Sequence, residues 1–142
     1  DIDFVFVGPI YDEFTKKRIA TAPNIIYLGL IPYELVPEAL KQFDVCWIPF
    51  EDGEIAKSTS PLKLFEYFAA GKPTLTPISM LECSSFSEVL TYDSQDSFKQ
   101  SLEFALSKSL SAEFSEHLKS VARENTWSNR IKTLFHAISN AE

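Results

Sequence analysis

Basic residues, cysteines and long apolar runs are all scarce in this chain, and each shortage narrows what it can do. Lys and Arg number 13 against 20 Asp and Glu, a net charge of -7. Such a surface repels a phosphate backbone, which argues against general nucleic-acid binding, although a single local basic residue can still hold a small anion. The two cysteines, Cys46 and Cys83, are too few for a disulfide framework and lack metal-ligand spacing. Cys46 sits inside an apolar run, which fits a reduced, cytoplasmic setting. No apolar stretch approaches the roughly 18 residues of a spanning helix, and no charged-then-apolar signal segment opens the chain. Any membrane contact is therefore expected to be peripheral, at the inner face. Internal repeats and low-complexity segments are also absent from the sequence.

What is present is enough for one domain. The 142 residues, 45% hydrophobic and with 12 Phe, suffice for a single core and rule out wholesale disorder. Charge is uneven: residues 1–98 hold 15 acids and 7 bases, whereas 99–142 hold 5 acids and 6 bases. The first residue is Asp1, not Met, and stands directly before a strand-like run, so the chain reads as a piece of something longer.

Short β-branched and aromatic runs recur, each closed by a turn signal and followed by a helix-like stretch. They are Phe4-Val5-Phe6-Val7, Ile25-Ile26-Tyr27-Leu28, Val45-Cys46-Trp47-Ile48, Pro73-Thr74-Leu75-Thr76 and the weaker Glu88-Val89-Leu90-Thr91. Continuous apolar strands predict a parallel sheet covered on both faces. Residues 11–20 and 37–43 read as helices between them. Ser60-Pro61 predicts a clearer helix, with Ser as N-cap and Pro at the first position, ending at Gly71. Helical spacing returns in Phe98, Leu102 and Leu106, then in Phe114, Leu118 and Val121, then in Ile131, Leu134 and Ile138. These predict three terminal helices that pack on the sheet or cross to a neighbouring domain. The Ser-rich patches around Ser84 and Ser109 read as loops.

Chemistry concentrates between residues 50 and 77. A loop over residues 51–59 leads into the Ser60-Pro61 helix, and in parallel α/β sheets ligands bind where strand carboxyl ends meet helix amino ends. Exposed N–H groups at that helix start, with its dipole and Lys63, suit a phosphate. Glu66 lies about one turn further on, where a carboxylate can accept both hydroxyls of a ribose. A Lys three residues before a Glu is commonly a solvated ion pair. Here Leu62, Leu64, Phe65, Tyr67 and Phe68 flank both residues, and an outward position for both is less natural.

The run Ser58-Thr59-Ser60-Pro61-Leu62-Lys63-Leu64-Phe65-Glu66-Tyr67-Phe68-Ala69-Ala70-Gly71-Lys72-Pro73 closely resembles the C-terminal, donor-binding half of GT-B glycosyltransferases, especially the retaining family 4 type. Asn24 to Gly29, Asp44 to Phe50, and Glu124-Asn125-Thr126-Trp127-Ser128 with Arg130 extend the likeness over nearly the whole chain. The resemblance implies an α/β, Rossmann-like parallel sheet with flanking helices, one half of a GT-B fold, and a helical tail. It implies a donor-binding half that moves a sugar from a nucleoside-diphosphate sugar to a glycan, lipid or other acceptor, in polysaccharide biosynthesis, with no metal or other cofactor. By that likeness Glu66 bonds the nucleotide ribose. Pro61, Leu62 and Lys63 face the donor phosphates, and Ser60 and Thr59 line the same turn. Leu30-Ile31-Pro32 meets the base, and Gly8 and Pro9 form another loop at the same sheet edge. Where many members carry Glu, seven residues, then a second Glu, this chain has Ser58 in place of the first. Its central first strand and the acceptor-binding N-terminal domain are expected to lie upstream, so that the fragment alone transfers no sugar. An open sheet of that kind leaves room for a homodimer.

A Rossmann-like module that binds a nucleotide or a protein partner without chemistry is the alternative. A receiver-type signalling domain needs acidic residues at strand carboxyl ends, whereas Asp3 and Asp44 precede their strands. His117, His136 and Cys83 read as surface or packing residues, Tyr33 as packing or a base platform, and Trp127 as an anchor of the last helix.

Overall fold

The computed structural model describes residues 2–140. Its first strand, β1 (Phe4–Val7), runs parallel to β2 (Ile25–Gly29), with Phe4 opposite Ile25 and Phe6 opposite Tyr27. Between them α1 (Glu13–Thr21) begins where the Asp12 carboxylate accepts the Thr15 N–H at 2.7 Å. That cap satisfies one of the donors orphaned at a helix start and holds the Asp12 carboxyl below its usual range. A 3₁₀ turn over Tyr33–Leu35 then leads into α2 (Val36–Lys41).

A second sheet follows in the order β3-β4-β5: β3 (Cys46–Trp47), β4 (Thr74–Pro77) and β5 (Val89–Tyr92), all parallel. Parallel neighbours require crossovers. The first consists of α3 (Glu54–Ser58) and α4 (Lys63–Ala69), the second of α5 (Leu81–Ser84). The chain then finishes in α6 (Gln95–Ser109), α7 (Ala112–Glu124) and α8 (Trp127–Ser139). A reciprocal cap opens α6: the Ser97 N–H donates to Ser94 Oγ at 3.2 Å, and the Ser94 N–H donates to Ser97 Oγ at 3.0 Å.

Two compact units result, Asp1–Ala39 and Leu40–Glu142. The core of the second is built by Ile48, Leu64, Phe68, Met80, Cys83, Val89 and Leu118. Leu64 and Phe68 are four residues apart on α4 and so share the face it turns to α7. Full burial of side chains of this size is worth about 1.5–3 kcal/mol each. Gly71 ends that helix at φ +70, a left-handed value, and a Cβ there would run into Ser115 Oγ of α7. The glycine therefore permits both the sharp turn and the close approach of the two helices.

The α/β class, the parallel strands and the three terminal helices all match the expectation from sequence. Several local readings need correction. The stretch 51–59 contains α3, and Ser84 and Ser109 close helices α5 and α6. Burial on both faces holds for β4, whose four residues are all buried, but not for β2, where Ile26, Tyr27 and Leu28 are exposed. Trp127 anchors nothing: it is 65% exposed, and α8 has no buried residue. Its amphipathic pattern gave α8 away, but periodicity carries no information about what, if anything, covers the apolar stripe.

Candidate functional site

β3 is short because only its first residues pair with β4. The Ile48 N–H still donates to Leu75 C=O at 2.9 Å, and Pro49 has no N–H to continue. The chain leaves this carboxyl end through α3, whose first two carbonyls accept the hydroxyls of the residues that end it. Ser58 Oγ donates to Glu54 C=O at 2.7 Å, and Thr59 Oγ1 donates to Ile55 C=O. Glu54 also pairs with Lys57 at 2.9 Å.

Ser60 was expected to cap α4, with Pro61 as the first helical residue. Instead Ser60 Oγ donates to Glu82 Oε1 at 2.6 Å, Pro61 and Leu62 form a turn, and α4 starts at Lys63. The ladder begins with the Leu64 N–H to Pro61 C=O at 3.1 Å and the Glu66 N–H to Leu62 C=O at 3.2 Å. The N–H groups of Leu62 and Lys63 precede it. Burial of Leu64 and Phe68 leaves Lys63 exposed and Glu66 half-buried. The core-facing residues thus decide the presentation of the other two, as the 3.6-residue period requires.

A second cation stands by this turn. Arg130 of α8 lies 4.0 Å from the same Glu82 oxygen that Ser60 holds, and its guanidinium sits 4.8 Å from the centre of the Phe65 ring. Phe65 in turn meets Phe86 edge-on at 5.5 Å. Sequence placed Arg130 in a closing helix but gave no sign that it returns to the start of α4. Contacts from Arg130 back to Phe65 and Glu82, on other elements far away in sequence, leave no periodic trace.

The other expected site residues, Gly8 and Ile31, belong to the first unit. Gly8 ends β1 at φ +126. Its N–H donates to Gly29 C=O at 2.8 Å, and its carbonyl accepts the Tyr27 hydroxyl at 2.9 Å. Ile31 is half-buried beyond the end of β2.

A groove of about 410 Å³ opens at the carboxyl ends of β3, β4 and β5, lined among others by Trp47, Phe50, Asp52, Tyr92, Asp93 and Phe98. None of Thr59 to Glu66 contributes to it. Nothing in the sequence marked these residues as a group, because they come from three strand ends and one helix.

The remaining candidates have local partners. His117 Nε2 lies 2.8 Å from Glu88 Oε1, and His136 Nε2 lies 3.0 Å from Asn140 Nδ2. Burial pushes the Cys46 thiol up to about 12 and that of Cys83 up to about 11, values that suit inert packing. Among the described residues no group of three His, Cys, Asp or Glu side chains is placed to hold a metal ion. None of the described helices is long and apolar enough to cross a membrane.

Parallel βα units with a loop-to-helix turn at a strand's carboxyl end define a class of α/β fold, and comparison with known proteins supplies the family. The family model for glycosyl transferase-like proteins matches residues 1–136, and the chain belongs to that family. It is similar to TuaH of Bacillus subtilis (strain 168), a protein named for glycosyl transfer in teichuronic acid biosynthesis, at 26% identity over 133 residues. That match takes in 89% of this chain but 34% of TuaH, so the chain spans about a third of that relative's length. No solved structure matches it.

Proposed function

We propose that this chain is the donor-binding half of a retaining GT-B glycosyltransferase, one that moves a hexosyl group from a nucleoside-diphosphate sugar to a glycan or lipid acceptor in polysaccharide synthesis. Membership of a glycosyl transferase-like family across residues 1–136 is the observation that carries the reading. The pairing inside each sheet supports it. Within the first unit β1 pairs parallel with β2, and within the second the order is β3-β4-β5, each an all-parallel segment of the kind that doubly wound folds are built from. An upstream segment of the parent supplies the central first strand and the acceptor domain, in the cytoplasm or at the inner membrane face.

At the site, Glu66 accepts the ribose hydroxyls, and Lys63 meets the donor phosphates beside the N–H groups of Leu62 and Lys63. Pro61, Ser60 and Thr59 shape the turn. Arg130 adds positive charge near it, held in place by Glu82 and the Phe65 ring. Fixed cations of this kind stabilise the charge that develops on a departing diphosphate, without a metal. Gly8 and Ile31 form the loops at the ends of β1 and β2 that meet the diphosphate and the base. A non-catalytic nucleotide-binding module is the second reading. Ser58 favours it: it stands where the family resemblance expects a donor-sugar carboxylate, and its hydroxyl is spent on Glu54 C=O.

Calorimetric titration with UDP, GDP and ADP tests the proposal. One nucleotide should bind saturably, and the Lys63→Ala/Glu66→Ala chain should bind it about 100-fold more weakly, as loss of charged hydrogen bonds implies. Unchanged affinity in that variant would sink the site assignment. Absence of binding that persists once the upstream segment is supplied would sink the donor-domain reading. Transfer assays on that longer chain decide between enzyme and module.

A further inference from the structure

The groove at the strand ends has a chemistry unlike that of the α4 turn. Its wall is a fixed aromatic surface: the Trp47 indole N–H donates to the Tyr92 hydroxyl at 2.9 Å, the Trp47 and Phe98 rings lie 5.2 Å apart, and Tyr92 meets Phe98 edge-on at 5.0 Å. These contacts join three strand and helix positions into one surface that needs no reordering to receive a ligand. Phe50 extends it. At the rim stand the carboxylates Asp52 and Asp93. Hydrogen bonds from Ser97 and Ser94 hold the Asp93 carboxyl below its usual range, so it is ionised at neutral pH.

No Lys or Arg lines the groove. Two carboxylates without a cation repel phosphate, diphosphate and uronate alike. A neutral pyranose fits the remaining chemistry. Its C–H face packs on the electron-rich face of an aromatic ring, and its hydroxyls donate to carboxylates. Ser79 also lines the groove, and its buried Oγ makes no hydrogen bond.

We propose that this groove binds a neutral glycosyl unit, stacked on the Trp47–Tyr92–Phe98 surface and hydrogen-bonded to Asp52 and Asp93. The inference goes beyond the nucleotide site and relies on the sugar-transfer reading only in preferring a sugar to another neutral ligand. It shares no residue with Lys63 and Glu66, so the two readings fail separately.

The test is a ¹H–¹⁵N NMR titration of the 142-residue chain with methyl glucoside, N-acetylglucosamine, glucuronate and choline. The two indole signals are assigned with Trp127→Phe. A neutral sugar should shift the Trp47 indole and the amides around Tyr92 and Asp93, with a dissociation constant on the order of millimolar. Glucuronate should not. Phe50→Ala should weaken the sugar about tenfold, while nucleotide titrations stay as in the parent. Lys63→Ala/Glu66→Ala should leave the sugar-induced shifts intact. Four results would overturn the proposal: no groove shift with any neutral sugar, shifts that map elsewhere, equal response to glucuronate, or binding of choline alone. The last would make the aromatic and acidic lining a cation site.

Discussion

Gly71 is where one atom decides most. Its φ of +70 disfavours any L side chain, and the added methyl of Gly71→Ala would meet Ser115 Oγ and Lys119 Cε. The left-handed conformation alone costs about 1–2 kcal/mol. Gly71→Ala should therefore lower the unfolding free energy by at least that much, seen as a lower urea midpoint without a change in the slope of the transition. Glu88 gives a pH-dependent case. Burial raises its pKa, but hydrogen bonds from His117, its own backbone and Ser87 outweigh burial and leave the carboxyl below its usual range. A group with a lowered folded pKa adds stability above its unfolded pKa, about 4.3 for Glu, and loses it as pH falls through the folded value. Wild-type protein should thus be more stable than Glu88→Gln at neutral pH, by up to about 1 kcal/mol for so exposed a partner as His117. The difference should vanish as pH falls below about 4. An equal difference at all pH values, in urea melts from neutrality to acid, would show that ionisation of Glu88 contributes nothing.

Among the elements, α7 and α8 contrast most. Both are 13-residue amphipathic helices, yet α7 buries Leu118 and Ala122 against α4, whereas Trp127, Ile131, Leu134, Phe135 and Ile138 of α8 are all exposed. Helices gain most of their stability from the packing of an apolar face. Backbone amides of α8 should exchange hydrogen at least tenfold faster than those of α7 in native-state exchange, about 1.4 kcal/mol in opening free energy. Equal protection would mean that something covers the stripe in solution. Sequence showed the two helices equally well, since both carry the 3.6-residue pattern. It also anticipated the strands, whose β-branched and aromatic runs are bounded by Gly and Pro. It missed α3 and α5, which at five and four residues are shorter than any period can register.

At the scale of the whole molecule, the division into Asp1–Ala39 and Leu40–Glu142 matters most. Chains below about 40 residues rarely fold without disulfides, metals or partners. A peptide of residues 1–39 should give a coil spectrum by circular dichroism and no cooperative melt, whereas residues 40–142, which hold the cluster around Phe68 and Leu118, should melt cooperatively. A folded spectrum from the short peptide would refute this.

By itself the sequence determined the α/β class, the helical tail, the acidic character and the Lys63–Glu66 turn, because each depends on neighbours within one or two helical turns. It also carried the family, through residues 58 to 73. Only the tertiary structure decided that Ser60 serves Glu82 and not the helix cap, that Arg130 returns to Phe65, that Trp127 lies open, and that Trp47, Tyr92 and Phe98 form one surface. Each of those depends on residues tens of positions apart. Side-chain periodicity extends along one element and cannot encode which elements meet.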